Sequence, residues 1–268
     1  MTFISKLMIV NRSTYIDKLQ RSKGNGLIKI ITGLRRSGKS FLLKKLFRQH
    51  LLDEGVSDDH IIIIDMESRK NKVFKDPDYL LDWLDGRMVD DSTYYIIVDE
   101  VQEVKDFVEV LSSLSVTEGT DVYVTGSNSR FLSSDVVTEF RGRGDEIHVW
   151  PLSFHEFMSV YEGSKEDGWA EYLMYGGLPQ LLTQDGDDKK SEFLRRLYRT
   201  VYLRDIYERN NIELKPEFEE LSQALASSIG APVNASNIAN TFKSVSNVRN
   251  ISDKTVSTYL EYMQDAFQ

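Results

Sequence analysis

Five short apolar runs mark the first 150 residues of the chain. Each run is rich in Ile, Val or Tyr and is apolar along its whole length, not only at alternate positions. The runs are LIKIIT (27–32), HIIIID (60–65), YYIIVD (94–99), DVYVTG (121–126) and EIHVW (146–150). Stretches with helical spacing of apolar residues lie between them, at 39–55, 78–88 and 104–114. This alternation predicts an α/β fold in which helices cover both faces of a five-stranded parallel sheet.

The strand pattern stops after Trp150, and the remaining chain has helical patterning. Ser153 and Glu156 have the spacing of a capping box, which predicts that a helix begins here. We therefore place a domain boundary at this point. Two further amphipathic helices are predicted over 191–210 and 216–230.

The carboxy-terminal part predicts a pair of helices over 234–245 and 252–267, the second capped by Ser252. A helix-turn-helix is one interpretation, although the segment between the two helices is longer than the turn of that motif. Three basic and three acidic residues balance between 234 and 268. This balance favours domain packing or contact with a protein over contact with DNA.

Composition limits the possible classes of protein. The chain has 268 residues, a net charge of −9 and no cysteine, so disulfides and thiolate zinc sites are not available and we expect a cytoplasmic location. No apolar run approaches the ~18 residues needed to span a bilayer, and no membrane association is expected. The charge is uneven, with +11 over residues 1–50 and −20 over 51–268. The basic part is either a solvated helix face or a surface that attracts phosphate-bearing ligands.

The sequence GLRRSGKS (33–40) lies between a predicted strand and a predicted helix. It matches the pattern G-x-x-x-x-G-K-S/T, in which the glycines allow the backbone to approach phosphates and the lysine reaches the β- and γ-phosphates. The hydroxyl of Ser40 is the predicted ligand of Mg²⁺. The predicted nucleotide-binding residues of this segment are Gly33, Arg36, Ser37, Gly38, Lys39, Ser40 and Phe41. The two arginines inside the loop either assist in neutralising phosphate or face solvent or an interface.

An acidic pair, Asp99 and Glu100, follows the third apolar run. Ligands of open α/β sheets bind at the carboxyl ends of the strands, where this pair is expected to lie. Asp99 is predicted to hold Mg²⁺ through a water molecule. Glu100 is predicted to orient and polarise the attacking water. An ordinary acidic strand end is the alternative, and the glycine loop in the same chain favours the functional interpretation.

Two further segments add candidate catalytic residues. The fourth strand ends in TGSNSR, where Asn128, with Ser127 as its rival, is a candidate for sensing the γ-phosphate; a simple turn is the alternative. The segment EFRGRGDEI (139–147) contains Arg141 and Arg143. Either arginine could stabilise charge on a transferring phosphoryl group, or form ion pairs within a basic loop.

Four further segments add to these motifs: YIDKL (15–19), PLSFHEF (151–157), GGLPQ (176–180) and residues 252–267. Together they resemble the motifs of bacterial and archaeal AAA-type ATPases with a carboxy-terminal domain of unknown function. The resemblance covers nearly the entire chain. It implies an additional-strand P-loop ATPase core over 1–150, a helical segment over 151–212 and a winged-helix-like segment over 213–268. Members of this family usually continue into a further domain of mixed strands and helices, most of which this chain is expected to lack.

The resemblance also places a Gly-x-Pro feature on Gly177 and Pro179. In similar signal-transduction ATPases this proline lies near the adenine, which makes Pro179 a candidate cofactor-binding residue. From the residues alone, YGGLP is equally typical of a helix C-cap followed by a residue that breaks the helix.

We therefore expect a protein that binds ATP and Mg²⁺, hydrolyses ATP slowly and couples the nucleotide state to domain movement. A nucleotide-gated module that docks a protein, another copy of itself or, with weaker support, DNA is the alternative. A small-molecule kinase is less favoured, because the adjacent carboxylates suit activation of water better than transfer to a metabolite.

Overall fold

The computed structural model describes residues 9–126, 144–228, 230, 232, 234–245 and 251–267. Contacts divide the chain into two compact units, Met1–Lys190 and Ser191–Gln268. Each unit has its own hydrophobic core. The domain boundaries predicted near residues 150 and 212 stay predictions.

The first unit is built on one parallel sheet. Its strands are β1 (Ile28–Thr32), β2 (Ile61–Asp65), β3 (Tyr94–Asp99), β4 (Thr120–Thr125) and β5 (Gly144–His148). The strand order is β2-β3-β4-β1-β5, with parallel pairing at every interface. The predicted α/β class and all five strands are confirmed. β4 lies between β1 and β3, as an additional-strand core requires.

The fifth strand is displaced from its predicted range of 146–150. It begins at Gly144 and ends at His148, because its register follows β1 from Ile28 to Thr32. Trp150 lies beyond the last ladder position and is 61 % exposed, so its apolar character marks the loop after the strand.

Helices cover both faces of this sheet. Leu80, Leu84 and Leu111 pack on one face, and Leu19 and Phe47 pack on the other. The helices of the unit are α1 (Ser13–Ser22), α2 (Lys39–Phe41), α3 (Arg48–Asp53), α4 (Pro77–Asp85), α5 (Phe107–Val116), α6 (Phe154–Met158) and α7 (Lys165–Tyr175). A π-helical stretch, Leu42–Phe47, joins α2 to α3 into one helical run. Four 3₁₀ segments are described: Asp58–His60, Arg69–Lys75, Val101–Glu103 and Pro179–Thr183.

The predicted capping box begins α6. The Ser153 hydroxyl accepts a hydrogen bond from the Glu156 amide, and the Glu156 carboxylate accepts one from the Ser153 amide at 2.8 Å. Both polar groups of the cap are therefore satisfied reciprocally.

Helices make up the second unit over its described residues. After α8 (Asp187–Leu197), which crosses the division between the units, come a π-helical stretch (Tyr198–Leu203), α9 (Arg204–Asn210), α10 (Lys215–Ser227), α11 (Ala235–Val245) and α12 (Asp253–Phe267). Phe218, Leu221 and Val256 are fully buried in its core. The Ser252 hydroxyl accepts from the Thr255 amide at 3.1 Å, as predicted for an N-cap. No strand occurs among the residues described here, so the winged-helix feature stays a prediction.

Among the described helices of the whole chain, none combines the length and the apolarity that crossing a bilayer requires.

Candidate functional site

The carboxyl ends of three neighbouring strands form the centre of the site. Gly33 follows β1 directly, Asp99 is the last residue of β3 and Thr125 is the last residue of β4. Since β4 pairs with both β1 and β3, these three positions share one edge of the sheet. This is the edge at which open α/β sheets bind ligands.

The glycines of the loop after β1 are required by its backbone. Gly33 has φ +126°, and a β-carbon there would lie 2.2 Å from the carbonyl oxygen of Val149. Gly38 has φ +101° and is the N-cap of α2. No side chain among the described residues caps this helix, and its first backbone bond runs from the Leu42 amide to the Gly38 carbonyl at 2.8 Å. The amides of the first turn therefore point out of the helix, where they can bind an anion.

Lys39 supplies a buried positive charge beside this loop. Its side chain donates to the carbonyl oxygens of Gly33, at 2.8 Å, and Leu34, at 3.2 Å. Burial lowers the pKa of Lys39, while the charges of Glu100 and Asp99 act in the opposite direction. Among the described residues its hydrogen-bond partners are neutral carbonyls, and a polyphosphate would be a stronger acceptor for this ammonium.

Asp99 is buried and receives hydrogen bonds from three elements. Its Oδ1 accepts from the Ser40 hydroxyl at 2.8 Å and from the Thr125 hydroxyl at 2.6 Å. Its Oδ2 contacts the Lys44 ammonium at 2.7 Å. A hydroxyl and a carboxylate are both hard oxygen ligands, so Ser40 and Asp99 fit the requirements of Mg²⁺.

Glu100 has an unusual backbone conformation. Its φ of 58° and ψ of 53° lie in the left-handed region, which non-glycine residues seldom occupy. The Glu100 amide donates to the Thr125 hydroxyl at 2.9 Å, and its carboxylate accepts from the Gln102 side chain. Strained backbone conformations persist only where the surrounding structure holds them, and they cluster at functional sites.

Asp65 and Glu67 add two more carboxylates to the acidic side of the site. Lys44 lies between Asp65 and Asp99, at 2.8 Å and 2.7 Å. Burial disfavours the Lys44 ammonium, but its hydrogen bonds to these carboxylates outweigh that effect and raise its pKa. Burial also raises the pKa of Glu67, and the negative charge of Glu100 raises it further.

On its other side the loop contacts an arginine from the amino-terminal segment. Arg12 is buried and donates to the carbonyl oxygens of Ser37, at 3.1 Å, and Trp150, at 2.8 Å. Its Nε forms an ion pair with Glu156 at 2.8 Å. One guanidinium therefore joins the loop to the segment that follows β5.

The predicted Gly-x-Pro segment also adjoins the loop. A β-carbon on Gly38 would lie 3.7 Å from Cγ of Pro179, and Arg36 donates to Gln180 at 2.7 Å. The α7 helix ends at Tyr175, with Gly176 as a C-cap at φ +76°, so the C-cap interpretation is correct for the residues before Pro179. A contact of Pro179 with adenine stays a prediction.

The structure brings together most of the predicted residues and adds others. Gly33, Gly38, Lys39 and Ser40 lie in the loop and the first turn of α2. The Ser40 hydroxyl bonds Asp99 at 2.8 Å, and the charge of Glu100 acts on Lys39. Ser37 is fully buried, and Phe41 is partly buried in the first helical turn. Asn128, Ser127, Arg141 and Arg143 lie outside the described residues.

The prediction missed four residues: Arg12, Lys44, Asp65 and Thr125. Lys44 is four positions after Ser40 and so lies on the same face of a helix, while Asp65 ends one predicted strand (60–65) and Thr125 is the next-to-last residue of another (121–126). Those three could have been found from position alone. Arg12 has no local signal, because it acts across 25 residues of sequence.

Comparisons with known proteins give the family of the chain. A family model described as an AAA domain matches residues 25–158, and a model described as a domain of unknown function matches residues 166–268. An uncharacterized protein of Haemophilus influenzae is 32 % identical over 270 residues, covering 98 % of this chain and 66 % of the relative. An uncharacterized protein of Methanocaldococcus jannaschii is 27 % identical over 278 residues, covering 98 % and 59 %. The chain thus spans about three fifths to two thirds of the length of these relatives.

A solved structure of the Orc1 protein of Aeropyrum pernix in complex with DNA aligns over 96 % of this chain and 84 % of its own. The identity is 12 % and the TM-score is 0.44.

Proposed function

The chain belongs to the AAA domain family, and from this premise we propose that it is a magnesium-dependent ATP-binding protein that hydrolyses ATP slowly and couples the nucleotide state to domain movement. The observation that carries the proposal is the 2.8 Å hydrogen bond between Ser40 and Asp99. It joins the end of the glycine loop to the carboxylate of a different strand, as a site for a metal-bound polyphosphate requires.

In this proposal the loop and Lys39 bind the phosphates. The amides of the first turn of α2 donate to phosphate oxygens, and the Lys39 ammonium exchanges its carbonyl partners for the β- and γ-phosphates. Ser40 and Asp99 hold Mg²⁺, which when bound neutralises charge on the phosphates. Arg36, Ser37, Phe41 and Pro179 complete the proposed nucleotide-binding set.

Glu100 is the proposed group that orients the attacking water. The residue is only 8 % exposed; its carboxylate accepts a hydrogen bond from the Gln102 side chain, and its backbone amide donates to Thr125. Asn128 remains the proposed sensor of the γ-phosphate, with Arg141 and Arg143 as candidates for stabilising the transferred group.

A second candidate function is a nucleotide-gated binding module in which hydrolysis is incidental. It is favoured by the 2.7 Å hydrogen bond from Arg36 to Gln180, because a segment bonded to the glycine loop can respond to occupancy of the phosphate site. A protein partner or self-association is proposed ahead of DNA, given the balanced charge of residues 234–268.

The test is nucleotide titration combined with phosphate release. Fluorescent ATP should bind the wild type in Mg²⁺, and phosphate should appear with no added acceptor, which also separates hydrolysis from kinase activity.

Lys39→Ala should abolish binding. Lys45→Ala, which removes the same charge from an exposed position on the same helical run, should not. Equal binding by these two variants would refute the proposal. Binding without phosphate release would leave the binding module as the better function.

A further inference from the structure

Lys44 occupies a position between two carboxylates that the sheet forces together. Asp65 and Asp99 are register partners at the ends of β2 and β3. The Lys44 ammonium contacts Oδ2 of both, at 2.8 Å and 2.7 Å. Lys44 comes from the π-helical stretch Leu42–Phe47, one turn after Ser40. Ser40 and Lys44 therefore engage the two different oxygens of Asp99 from one helical run.

Without the Lys44 ammonium, the two carboxylates would lie side by side with no positive charge between them. Like charges on adjacent strand ends repel, and carboxylate pairs relieve that repulsion by binding a proton or a hard divalent cation. The ammonium takes the place that such a cation would occupy, since it bridges an oxygen of each residue.

We infer that Lys44 is a positioning residue that excludes divalent cations from the Asp65–Asp99 pair while no nucleotide is bound, so that magnesium is bound only together with the nucleotide. The inference rests on the proposed role of Asp99 as a carboxylate for Mg²⁺. The Lys44 contact holds Oδ2, while Oδ1 is held by Ser40 and Thr125. Together the three contacts fix the direction of the Asp99 carboxylate.

The interaction differs from an ordinary surface ion pair. The Lys44 side chain is 25 % exposed and that of Asp99 only 4 %, so the pair is partly shielded from water. A solvent-exposed pair would be screened by water and salt and would contribute little.

The test measures Mn²⁺ binding to the nucleotide-free protein by electron paramagnetic resonance. The wild type should show little saturable binding. Lys44→Met should bind Mn²⁺ about tenfold more tightly or better, because a positive charge adjacent to the carboxylates is gone. The double variant Lys44→Met, Asp65→Asn should lose that gain. Lys44→Arg should behave like the wild type, since it keeps the charge.

Two results would overturn the inference. One is a folded Lys44→Met protein, judged by a cooperative thermal melt, with the Mn²⁺ affinity of the wild type. The other is a gain in Lys44→Arg as large as in Lys44→Met. If Lys44→Met does not fold, Lys44→Gln takes its place in the same comparison. Fluorescent ATP titration of the wild type is run in parallel; its failure would refute the proposed nucleotide site, whereas the Mn²⁺ comparison reports on Lys44 alone.

Discussion

The hydroxyl of Thr125 joins the two acidic residues of the site: it donates to Asp99 at 2.6 Å and accepts from the Glu100 amide at 2.9 Å. Thr125 is fully buried at the end of β4. The last side chain of β4 therefore hydrogen-bonds both acidic residues, Asp99 through its carboxylate and Glu100 through its backbone amide.

Thr125→Val should lower ATP turnover by about tenfold, because it keeps the shape but leaves a buried amide and a carboxylate oxygen each without one partner, at a cost of about 1–3 kcal/mol. The Mg²⁺ concentration that gives half-maximal turnover should rise. Thr125→Ser keeps the hydroxyl and is the matched control. Equal kinetics for the Val and Ser variants would show that the hydroxyl does not matter.

Glu100→Gln should keep nucleotide affinity and lose turnover. The amide has nearly the same volume but cannot act as a base, and losses of about 10²–10⁴-fold are typical of such a change. Phosphate release and fluorescent ATP titration measure the two effects separately. Glu103→Gln, an exposed position of the same 3₁₀ segment, should have no effect on either. Normal hydrolysis by the Glu100 variant would show that Glu100 is not a catalytic residue.

The strands and the loop could be predicted from sequence because their signals are local. Runs of β-branched residues are buried on both faces, and the glycine spacing is dictated by the backbone itself, as the 2.2 Å approach at Gly33 shows. The two motifs predicted Ser40 and Asp99 as ligands of one Mg²⁺, and the structure places their side-chain oxygens 2.8 Å apart.

Other features depend on tertiary contacts, which no local sequence pattern predicts. The left-handed conformation of Glu100 opposes the preference of glutamate, and surrounding bonds impose it. Arg12 reaches its partners 25 and 138 residues away in sequence. The role of Lys44 depends on the register that places Asp65 beside Asp99.

Arg12→Met should destabilise the protein and weaken nucleotide binding together. The change removes the cation paired with the Glu156 carboxylate and leaves the Ser37 carbonyl without its buried donor, at about 1–3 kcal/mol for the unsatisfied group. Urea denaturation measures the stability, and ATP titration at a temperature well below the transition measures binding. Arg21→Met, on the exposed side of α1, is the control for loss of charge. Unchanged ATP affinity in a folded Arg12 variant would limit this residue to a structural role.

A buried ion pair at the opposite end of the sheet should affect stability without affecting the site. Lys29 of β1 pairs with Asp121 of β4; both side chains are at most 3 % exposed, and the Tyr123 hydroxyl also donates to Asp121 at 2.9 Å. Lys29→Met should lower the free energy of unfolding by about 3–5 kcal/mol, because it leaves the carboxylate buried without its cation. Lys29→Met combined with Asp121→Asn removes both charges and should recover part of that loss. ATP affinity of the folded fraction should equal that of the wild type, since both residues lie near the amino ends of their strands. A double variant no more stable than the single one would show that the uncompensated charge is not the cause.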